Sequence, residues 1–335
     1  MQYIKIAFDV MGSDNGFKPA IEAALKILKE KKDLKIIFVG KEFEIKSFLK
    51  NKKYNLEQVD FFNCEETIDM KDGIMDIRRK RDSSMVRALE LVRDDIADGV
   101  TTGGATAPFI AGCIFILKRL EGIERPAFMP VIPTILKNKV TLLLDVGANL
   151  ESDPEDIEKF AIMANAYSRV IKQVKNPKVA LLNIGEESTK GTEIHKKAYE
   201  LLKNNKYLDF YGNLEPRYIT SGFVDVVVTD GYSGNVALKS AEGMGKNLLT
   251  EIKNSLTKNI FRKIAAFCLK KAFIEVREKF DYKNHAGAIL LGVNKIAFKS
   301  HGSSDAISFY ATLSMTYSAI KNRIVEKMKE ALKIT

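Results

Sequence analysis

The chain has 335 residues, of which 46% are hydrophobic, so it can bury a large core. Its formal net charge of +10 favours acidic partners such as phosphorylated substrates, anionic lipid, an acidic protein or nucleic acid. Nucleic acid is the least favoured, because no recognition-helix, zinc-finger or RNP pattern is present. The three cysteines, Cys64, Cys113 and Cys268, are odd in number and widely spaced, so they suggest neither a disulfide framework nor a zinc site.

The termini and the apolar runs carry no membrane-spanning signal. The first stretch meets Asp9 too early for a secretory signal, and the longest apolar run, residues 105–117, is shorter than the roughly 20 residues that cross a bilayer. We therefore expect a cytoplasmic protein.

In chain order, short apolar strands alternate with amphipathic helices, which is typical of a parallel sheet covered by helices on both faces. The predicted strands are 4–8, 34–39, 127–134, 140–145, 179–184 and 224–229, with a further segment at 207–212. The predicted helices follow at 20–28, 84–96, 106–119, 157–167, around His195 and from 236. No repeat or linker divides the chain, so we expect one α/β domain over residues 1–335.

Helix starts are marked by capping residues. Asp14 or Asn15 is expected to cap the first helix, and Ser83 or Ser84 the one that follows the basic run Arg78 to Arg81. Asp153 followed by Pro154 is a strong start for a later helix.

Glycine-bearing loops follow the apolar segments. They are centred on Gly12, Gly103, Gly147, Gly185 and Gly231. In a parallel sheet such loops share one edge, so we expect them to build one site. None of them contains GxGxxG or GxxxxGK[ST], which argues against a dinucleotide fingerprint and a P-loop.

The stretch from Val224 to Gly243 gives the clearest example of such a loop. A β-branched run stops at Asp230, two glycines follow at 231 and 234, and helical apolar spacing begins at Val236. A helix N-terminus at the end of a strand favours an anion, so main-chain N–H groups of residues 231–234 are expected to hold phosphate.

Residues 246–283 interrupt the alternation with two helical apolar stripes and ten basic against four acidic residues. We expect a projecting helical hairpin. It either packs on its equivalent in a second subunit, which is our first choice for most of it, or places its tip around residues 260–269 on an anionic membrane.

Several blocks resemble a known family in order and spacing. They are DVMGSDNGFKP, RRKRDSSM, RPAFMPVIPT, LLLDVGANLESDPE, ALLNIGEESTKGTEI, FYGNLEP, DVVVTDGYSGNVALKSAEG and FKSHGSSDA. Across nearly the whole chain they are similar to the bacterial phosphate acyltransferases, which make acyl phosphate from acyl carrier protein for phospholipid synthesis. The resemblance implies a three-layer α/β/α Rossmann-like fold, related to phosphotransacetylases and to the isocitrate and isopropylmalate dehydrogenases.

The resemblance also implies partners and a location. It implies a homodimer that uses acyl carrier protein and inorganic phosphate, with neither metal nor nucleotide nor another cofactor. It further implies peripheral attachment to the inner face of the cytoplasmic membrane and contact with the downstream glycerol-3-phosphate acyltransferase.

Three positions depart from the family pattern. Residues 102–108 lack an asparagine of an SAGNTGA-like block, Ser13 stands in an MGGD-like loop, and residues 285–288 replace YGGA. These departures put in doubt any role of the missing asparagine amide, and also the acyl-chain preference.

The chemistry needs anion binding more than strong bases. The second pKa of phosphate is near neutrality, about 6 for related monoesters, so its dianion is already a nucleophile. The leaving thiolate has a pKa of about 8.5 and needs little protonation. We therefore expect lysine, amide, imidazole and backbone N–H donors around the reacting atoms.

Three side chains are assigned catalytic roles. Lys190 holds phosphate against the thioester carbonyl, Asn235 donates its amide to the oxyanion, and His301 donates to phosphate or sulfur. The alternatives are a solvated lysine, a helix cap and a structural histidine, respectively. Expected phosphate- or substrate-binding residues are Gly12, Asp14, Gly147, Asn149, Asn183, Asp230, Gly231, Gly234, Gly302 and Ser303.

The remaining candidates lie on the surface. Residues expected to contact the carrier protein or the membrane are Arg78, Arg79, Lys258, Arg262, Lys263 and Phe267. The basic run at 78–81 is otherwise a solvated charge run. His195 is expected to be exposed to solvent, and His285 is a weak site candidate.

Two other functions remain open at this point. A decarboxylating dehydrogenase of related fold would need a nicotinamide cofactor and a divalent metal held by aspartates, and no carboxylate cluster with neighbouring histidines suggests a metal. A non-enzymatic scaffold for lipid-synthesis enzymes would bind partners without consuming a thioester.

Overall fold

A mixed sheet of 11 strands runs through the computed structural model, which describes residues 3–280 and 287–334. The strands are β1 (Ile4–Asp9), β2 (Leu34–Gly40), β3 (Val59–Asn63), β4 (Gly99–Thr102), β5 (Ala127–Pro133), β6 (Val140–Leu144), β7 (Lys178–Leu182), β8 (Asp209–Leu214), β9 (Val226–Val228), β10 (Ala288–Leu291) and β11 (Ile296–Lys299). Their order is β3-β2-β1-β4-β11-β10-β5-β6-β9-β7-β8. His285 lies outside the described residues.

Helices connect most of the strands. They are α1 (Lys18–Glu30), α2 (Glu42–Leu49), α3 (Asp76–Arg79), α4 (Ser84–Arg93), α5 (Thr106–Gly112), α6 (Pro154–Ile171), α7 (Glu193–Asn204), α8 (Gly231–Leu256), α9 (Ile260–Cys268), α10 (Lys270–Phe280), α11 (Ala306–Lys321) and α12 (Ile324–Ile334). One π-helical turn, Cys113–Leu117, continues α5. None of the helices in residues 3–280 and 287–334 is both long and apolar enough to cross a membrane.

The side chains of alternate strand residues enter different core clusters, which gives three layers. In β1, Ile6 and Phe8 pack with α1 and α11, whereas Ala7 packs with α4 and α5. In β9, Val226 and Val228 pack with α6, whereas Val227 lies in a separate cluster. This period of two buries both faces of the sheet. The predicted three-layer α/β fold is confirmed.

Strand direction divides the sheet into two groups. β1, β2, β3, β4 and β11 are mutually parallel, and so are β6, β7, β8 and β9. Between these groups, β10 is antiparallel to β11 and β5, and β5 is antiparallel to β6. The two parallel groups therefore run in opposite directions. The expectation that all glycine-bearing loops share one edge is wrong, because it assumed a wholly parallel sheet.

Two of the expected caps differ from the observed ones. α1 begins after Phe17 without a side-chain cap, so neither Asp14 nor Asn15 caps it. Ser83 precedes α4 but makes no capping hydrogen bond. The start at Asp153 is confirmed: its side chain and that of Asp156 form a reciprocal capping box.

The segment from α8 to α10 exposes much of its apolar surface. The predicted first apolar stripe is divided between α8 and α9, with a break at residues 257–259. Its residues are Ile252 and Leu256 in α8 and Ile260, Ile264 and Phe267 in α9. No residue of α9 is buried, and Phe261 and Phe267 are 81% and 77% exposed.

Candidate active site

The loops after β6, β7 and β9, residues 145–149, 183–191 and 230–234, form one edge, which we call the β6–β7–β9 rim. Asp145 organises it from a fully buried position. Its carboxylate accepts hydrogen bonds from the backbone N–H groups of Phe128, Gly147, Ala148 and Asn149 and from the Asn149 amide, at 2.8–3.2 Å. Burial raises the pKa of Asp145, and these donors oppose the rise. The carboxylate therefore fixes the loop.

The first turn of α8 lies directly against this loop. An added Cβ at Gly234 would be 1.9 Å from the Asp145 carbonyl oxygen, and one at Gly231 would be 1.9 Å from the Asn149 carbonyl oxygen. Only glycine permits this approach. Packing alone therefore requires glycine at positions 231 and 234, whether or not their backbone binds phosphate.

The backbone N–H groups at the start of α8 are largely engaged. Tyr232 donates to the Leu150 carbonyl at 3.2 Å, Ser233 to the Asp230 carboxylate at 2.8 Å, and Gly234 to the Asp230 carbonyl at 3.0 Å. A phosphate held by these groups would have to displace existing hydrogen bonds. Main-chain binding by residues 231–234 thus has less support from the geometry than the sequence suggested.

Asn235 lies inside the first turns of α8 and does not cap it, because the side-chain cap is Asp230. The capping alternative for Asn235 is therefore wrong. Its amide nitrogen would lie 2.9 Å from a Cβ built at Gly147, whose φ is +112°. The exposed Asn235 side chain thus sits beside the bare backbone of the loop after β6.

Lys190 lies in the loop after β7, with an exposed side chain. The buried Asn183 holds this loop: its amide donates to the Lys190 carbonyl at 3.1 Å, and its oxygen accepts from Ile184 N–H at 2.8 Å. Lys190 forms no ion pair with the residues that the structure describes. Its ammonium is available to an anionic ligand.

His195 was expected to face solvent, and that is wrong, because its side chain is only 15% exposed. Nε2 lies 3.8 Å from the Asp230 carboxylate, and Nδ1 is 2.8 Å from the Thr192 hydroxyl. The first turn of α7 directs the ring toward the start of α8. His195 thus connects the loop of Lys190 with the cap of α8.

The loops after β1, β4 and β11, residues 10–17, 103–105 and 300–305, form the opposite edge, which we call the β1–β4–β11 rim. Asp14 N–H donates to the Gly302 carbonyl at 3.0 Å, and a Cβ at Gly302 would lie 3.1 Å from the Asp14 carboxylate. Gly12 adopts a φ of +68°, which favours glycine. These contacts bring Gly12, Asp14, Gly302 and Ser303 to one edge.

His301 has a defined ring orientation. Its Nδ1 accepts from the Ser303 backbone N–H at 3.3 Å and lies 2.9 Å from the Ser303 hydroxyl. Burial and the charges of Lys239 and Lys299 lower its pKa. A neutral ring with Nδ1 as acceptor carries its proton on Nε2, and Nε2 has no acceptor among the residues described. His301 can therefore donate a hydrogen bond to a ligand.

Helix α8 brings the two rims to one place. Asn235 lies against Gly147 on one rim, while Lys239, four residues later, interacts electrostatically with Lys299 and His301 on the other. Residues four apart lie on one helix face, about 6 Å apart along the axis. The candidate active site is this face of α8 between the rims.

Lys239 and Lys299 were not predicted as site residues, although both lie in blocks that carried the family resemblance. Within the described ranges, no group of three His, Cys, Asp or Glu side chains is arranged to hold a metal ion.

The surface candidates lie elsewhere. Arg78 packs over the Phe115 ring at 4.5 Å, and Arg79 pairs with Asp76 at 3.8 Å. Lys80 is not a solvated member of the basic run, since it pairs with Asp72 at 2.5 Å. The α9 candidates are Arg262, Lys263 and Phe267, and they are exposed, as is Lys258 before them.

The fold is that of the phosphotransacetylases. A solved phosphotransacetylase from Streptococcus pyogenes matches with a TM-score of 0.61 and 20% identity, covering 99% of this chain and 94% of that one. A 4-hydroxythreonine-4-phosphate dehydrogenase from Klebsiella pneumoniae matches with a TM-score of 0.53 and 12% identity, over 97% and 100%. Identities this low show a shared fold alone.

Sequence similarity goes further than fold. Residues 4–327 match the family described as fatty acid synthesis protein, and the chain belongs to that family. A phosphate acyltransferase from Mesoplasma florum is 55% identical over 328 residues, covering 98% of this chain and 99% of the relative. One from Staphylococcus aureus is 40% identical over 332 residues, covering 98% of each. The resemblance seen in the sequence blocks is confirmed, and it favours the acyltransferase over the dehydrogenase and the scaffold.

Proposed function

We propose that the protein transfers an acyl group from the thioester of acyl carrier protein to inorganic phosphate, releasing acyl phosphate and free carrier for phospholipid synthesis. The observation that carries this proposal is one face of α8 on which amide, lysine and imidazole donors from two rims meet, in a chain whose relatives are named phosphate acyltransferases. Donors of this kind suit two anionic reactants and a developing oxyanion.

The reaction balances without a cofactor. An oxygen of HPO₄²⁻ forms a bond to the acyl carbon, the carbon–sulfur bond breaks, and the electron pair leaves with sulfur. The proton of the phosphate ends on the sulfur, which gives the acyl phosphate dianion and a thiol. The protein must orient the phosphate, neutralise its charge and stabilise the oxyanion.

Each catalytic candidate has a role that its surroundings support. Lys190, which forms no ion pair with the described residues although the Glu187 carboxylate lies near its stem, holds phosphate against the thioester carbonyl. Asn235 directs its amide to the oxyanion beside Gly147, where the missing side chain leaves room for the Asn235 amide itself. His301 donates Nε2–H to a phosphate oxygen or to the departing sulfur.

The other predicted binding residues fall into groups according to the contacts that they make in the structure. The side chains of Asn149, Asn183 and Asp230 bind loop backbone, so they position the site. Gly12, Gly231 and Gly234 allow close approach of backbone, and Gly147 and Gly302 allow close approach of side chains. Asp14 interacts electrostatically with Lys299, and the Ser303 hydroxyl lies against the His301 ring.

Contacts outside the site form a second part of the proposal. The exposed Arg78 and Arg79 suit an acidic carrier protein. The exposed stripes of α8 to α10 suit a second subunit, and the tip with Lys258, Arg262, Lys263 and Phe267 suits an anionic membrane on its cytoplasmic face. Attachment there would bring the product close to a membrane-bound glycerol-3-phosphate acyltransferase.

Purified protein incubated with acyl-carrier thioester tests the proposed reaction. We expect thiol release only when phosphate is present, with an equal amount of hydroxylamine-reactive acyl phosphate. Sulfate at the same ionic strength is the control and should release none. Thiol release without phosphate would indicate a hydrolase, and no release with any acyl carrier would reject the acyltransferase.

A further inference from the structure

Lys299 is a buried amine at the site edge. It ends β11, where it pairs with Thr102 of β4 and Ala288 of β10, and it is 9% exposed. Its ammonium donates to the Ser300 carbonyl at 2.9 Å. An ammonium has three N–H donors, and the part of the chain that the structure describes offers Lys299 no other acceptor and no carboxylate within 4.0 Å. Two donors are left for a ligand.

The charges around Lys299 are mostly positive. Lys239 of α8 and the His301 ring face it, and the acidic groups of this region are Asp14 and Glu242. Lys239 pairs with Glu242 at 3.3 Å, but both are partly exposed, so that pair is weak. Burial first, and then Lys239, lower the pKa of Lys299 to about 8. A buried ammonium without a counterion is costly, which favours an anion at this position.

We propose that Lys299 and Lys239 hold a phosphate group between the end of β11 and α8, with the His301 Nε2–H and the residue 301–303 loop beside it. In naming phosphate we rely on the proposed function, which supplies an anion of this chemistry. This binding position is separate from Lys190, which lies on the opposite rim. The two lysine positions thus approach the reacting atoms from two sides.

The reaction offers this position two phosphate groups. One is the free inorganic phosphate that attacks, and the other is the phosphodiester of the carrier's pantetheine arm. Both present anionic oxygens to an ammonium, so the lysines recognise the same chemistry. Separate probes distinguish the two sources.

Calorimetric titration tests the position without turnover. The full chain is titrated with inorganic phosphate and, separately, with pantetheine 4′-phosphate, for wild type, Lys299→Met, Lys239→Met and the control Lys246→Met on the exposed part of α8. We expect at least one probe to bind about 10- to 100-fold more weakly to both site variants, the loss expected for a charge-assisted hydrogen bond. Lys246→Met should bind as wild type does.

Proton uptake separates direct binding from a structural effect. At pH 9 Lys299 is mostly neutral, so binding of a phosphate dianion should draw a proton onto it. Titration in two buffers of different ionisation enthalpy measures this uptake, which we expect in wild type and Lys246→Met and not in Lys299→Met. Weaker phosphate binding alone assigns the position to the free anion, and weaker pantetheine phosphate binding alone assigns it to the carrier arm.

Unchanged affinity for both probes in Lys299→Met and Lys239→Met would overturn this inference. The proposed function would then still stand if wild type forms acyl phosphate. Loss of binding in Lys239→Met supports the inference even if Lys299→Met fails to fold, because Lys239 is exposed.

Discussion

The two rims of the candidate site differ in how their polar groups are used. On the β6–β7–β9 rim, the carboxylate of Asp145 and the amide of Asn183 are bound to loop backbone, so the candidate ligand donors on this side are the Lys190 ammonium and the Asn235 amide. On the β1–β4–β11 rim, Lys299 and His301 keep donors without acceptors among the described residues. The first rim therefore fixes the position of α8 and Asn235 and presents the exposed Lys190, while the second supplies a buried charge at Lys299.

Disrupting the packing of α8 against the β6–β7–β9 rim should have the largest effect on stability and turnover. Gly234→Ala places a methyl group 1.9 Å from the Asp145 carbonyl oxygen, so α8 must move from the loop. We expect the free energy of unfolding to fall by about 3 kcal/mol or more, with loss of turnover. Gly243→Ala in the same helix meets open space and should stabilise by about 1 kcal/mol. Urea unfolding of both variants checks this, and equal stabilities would contradict the packing described.

The catalytic candidates on the same rim should affect rate without affecting stability. Asn235→Ala removes the proposed oxyanion donor, and we expect turnover to fall about 100- to 1,000-fold. Lys190→Ala should lower turnover while leaving the fold intact. Asn254→Ala, on the exposed surface of α8, is the matched control. Turnover equal to that control would remove Asn235 or Lys190 from the mechanism.

The buried ammonium of Lys299, on the β1–β4–β11 rim, should lower the free energy of unfolding while it provides a charge for anion binding. The pKa of Lys299 falls from 10.5 to about 8 on folding, so the buried ammonium opposes folding below pH 8 and ceases to do so as pH rises from 8 to 10.5. We expect Lys299→Met to be more stable than wild type by about 3 kcal/mol at pH 7, with a smaller difference at pH 10.

Thermal unfolding in phosphate-free buffer measures this difference. Lys321→Met is the control, because Tyr317 and Asp33 raise the pKa of Lys321 and its removal should not stabilise the protein. A Lys299→Met variant that is less stable at pH 7 would show that the amine is satisfied by the protein alone.

The exposed helix α9 should show the smallest effect, since it lies outside both rims. Ile264→Glu with Phe267→Glu places two charges on exposed apolar positions of α9. We expect sedimentation with anionic vesicles to fall several-fold while turnover with soluble substrate is unchanged. Equal vesicle binding by wild type and the double variant would dismiss the membrane role of the tip.

The sequence predicted the layered fold because buried strands and amphipathic helices have distinct periods. It missed the antiparallel strands, although the gap between the predicted strands 127–134 and 140–145 is too short for a crossover helix, which a parallel pair needs. It also missed β4 at Gly99–Thr102, a strand of four residues whose first residue is glycine.

The site was predicted unevenly for a similar reason. Glycine loops and the family blocks identified Asn235 and Lys190, but a lysine such as Lys299 looks like any other in a chain with 53 basic residues. Only its place between β4 and β10 shows that it is buried. The exposure of His195 was predicted wrongly because its sequence neighbours Lys196 and Lys197 suggested a solvent-exposed stretch of helix. The sequence does not show that His195 lies on the face of α7 that meets Asp230.

The most direct test of the account is an anomalous difference map from crystals soaked in arsenate, a heavier analogue of phosphate. We predict a strong peak against this face of α8, within hydrogen-bonding distance of the Lys190 ammonium, the Lys299 ammonium or both. Peaks confined to the exposed lysines of α9 and α10, in crystals whose protein forms acyl phosphate in solution, would contradict a reaction site on this face of α8.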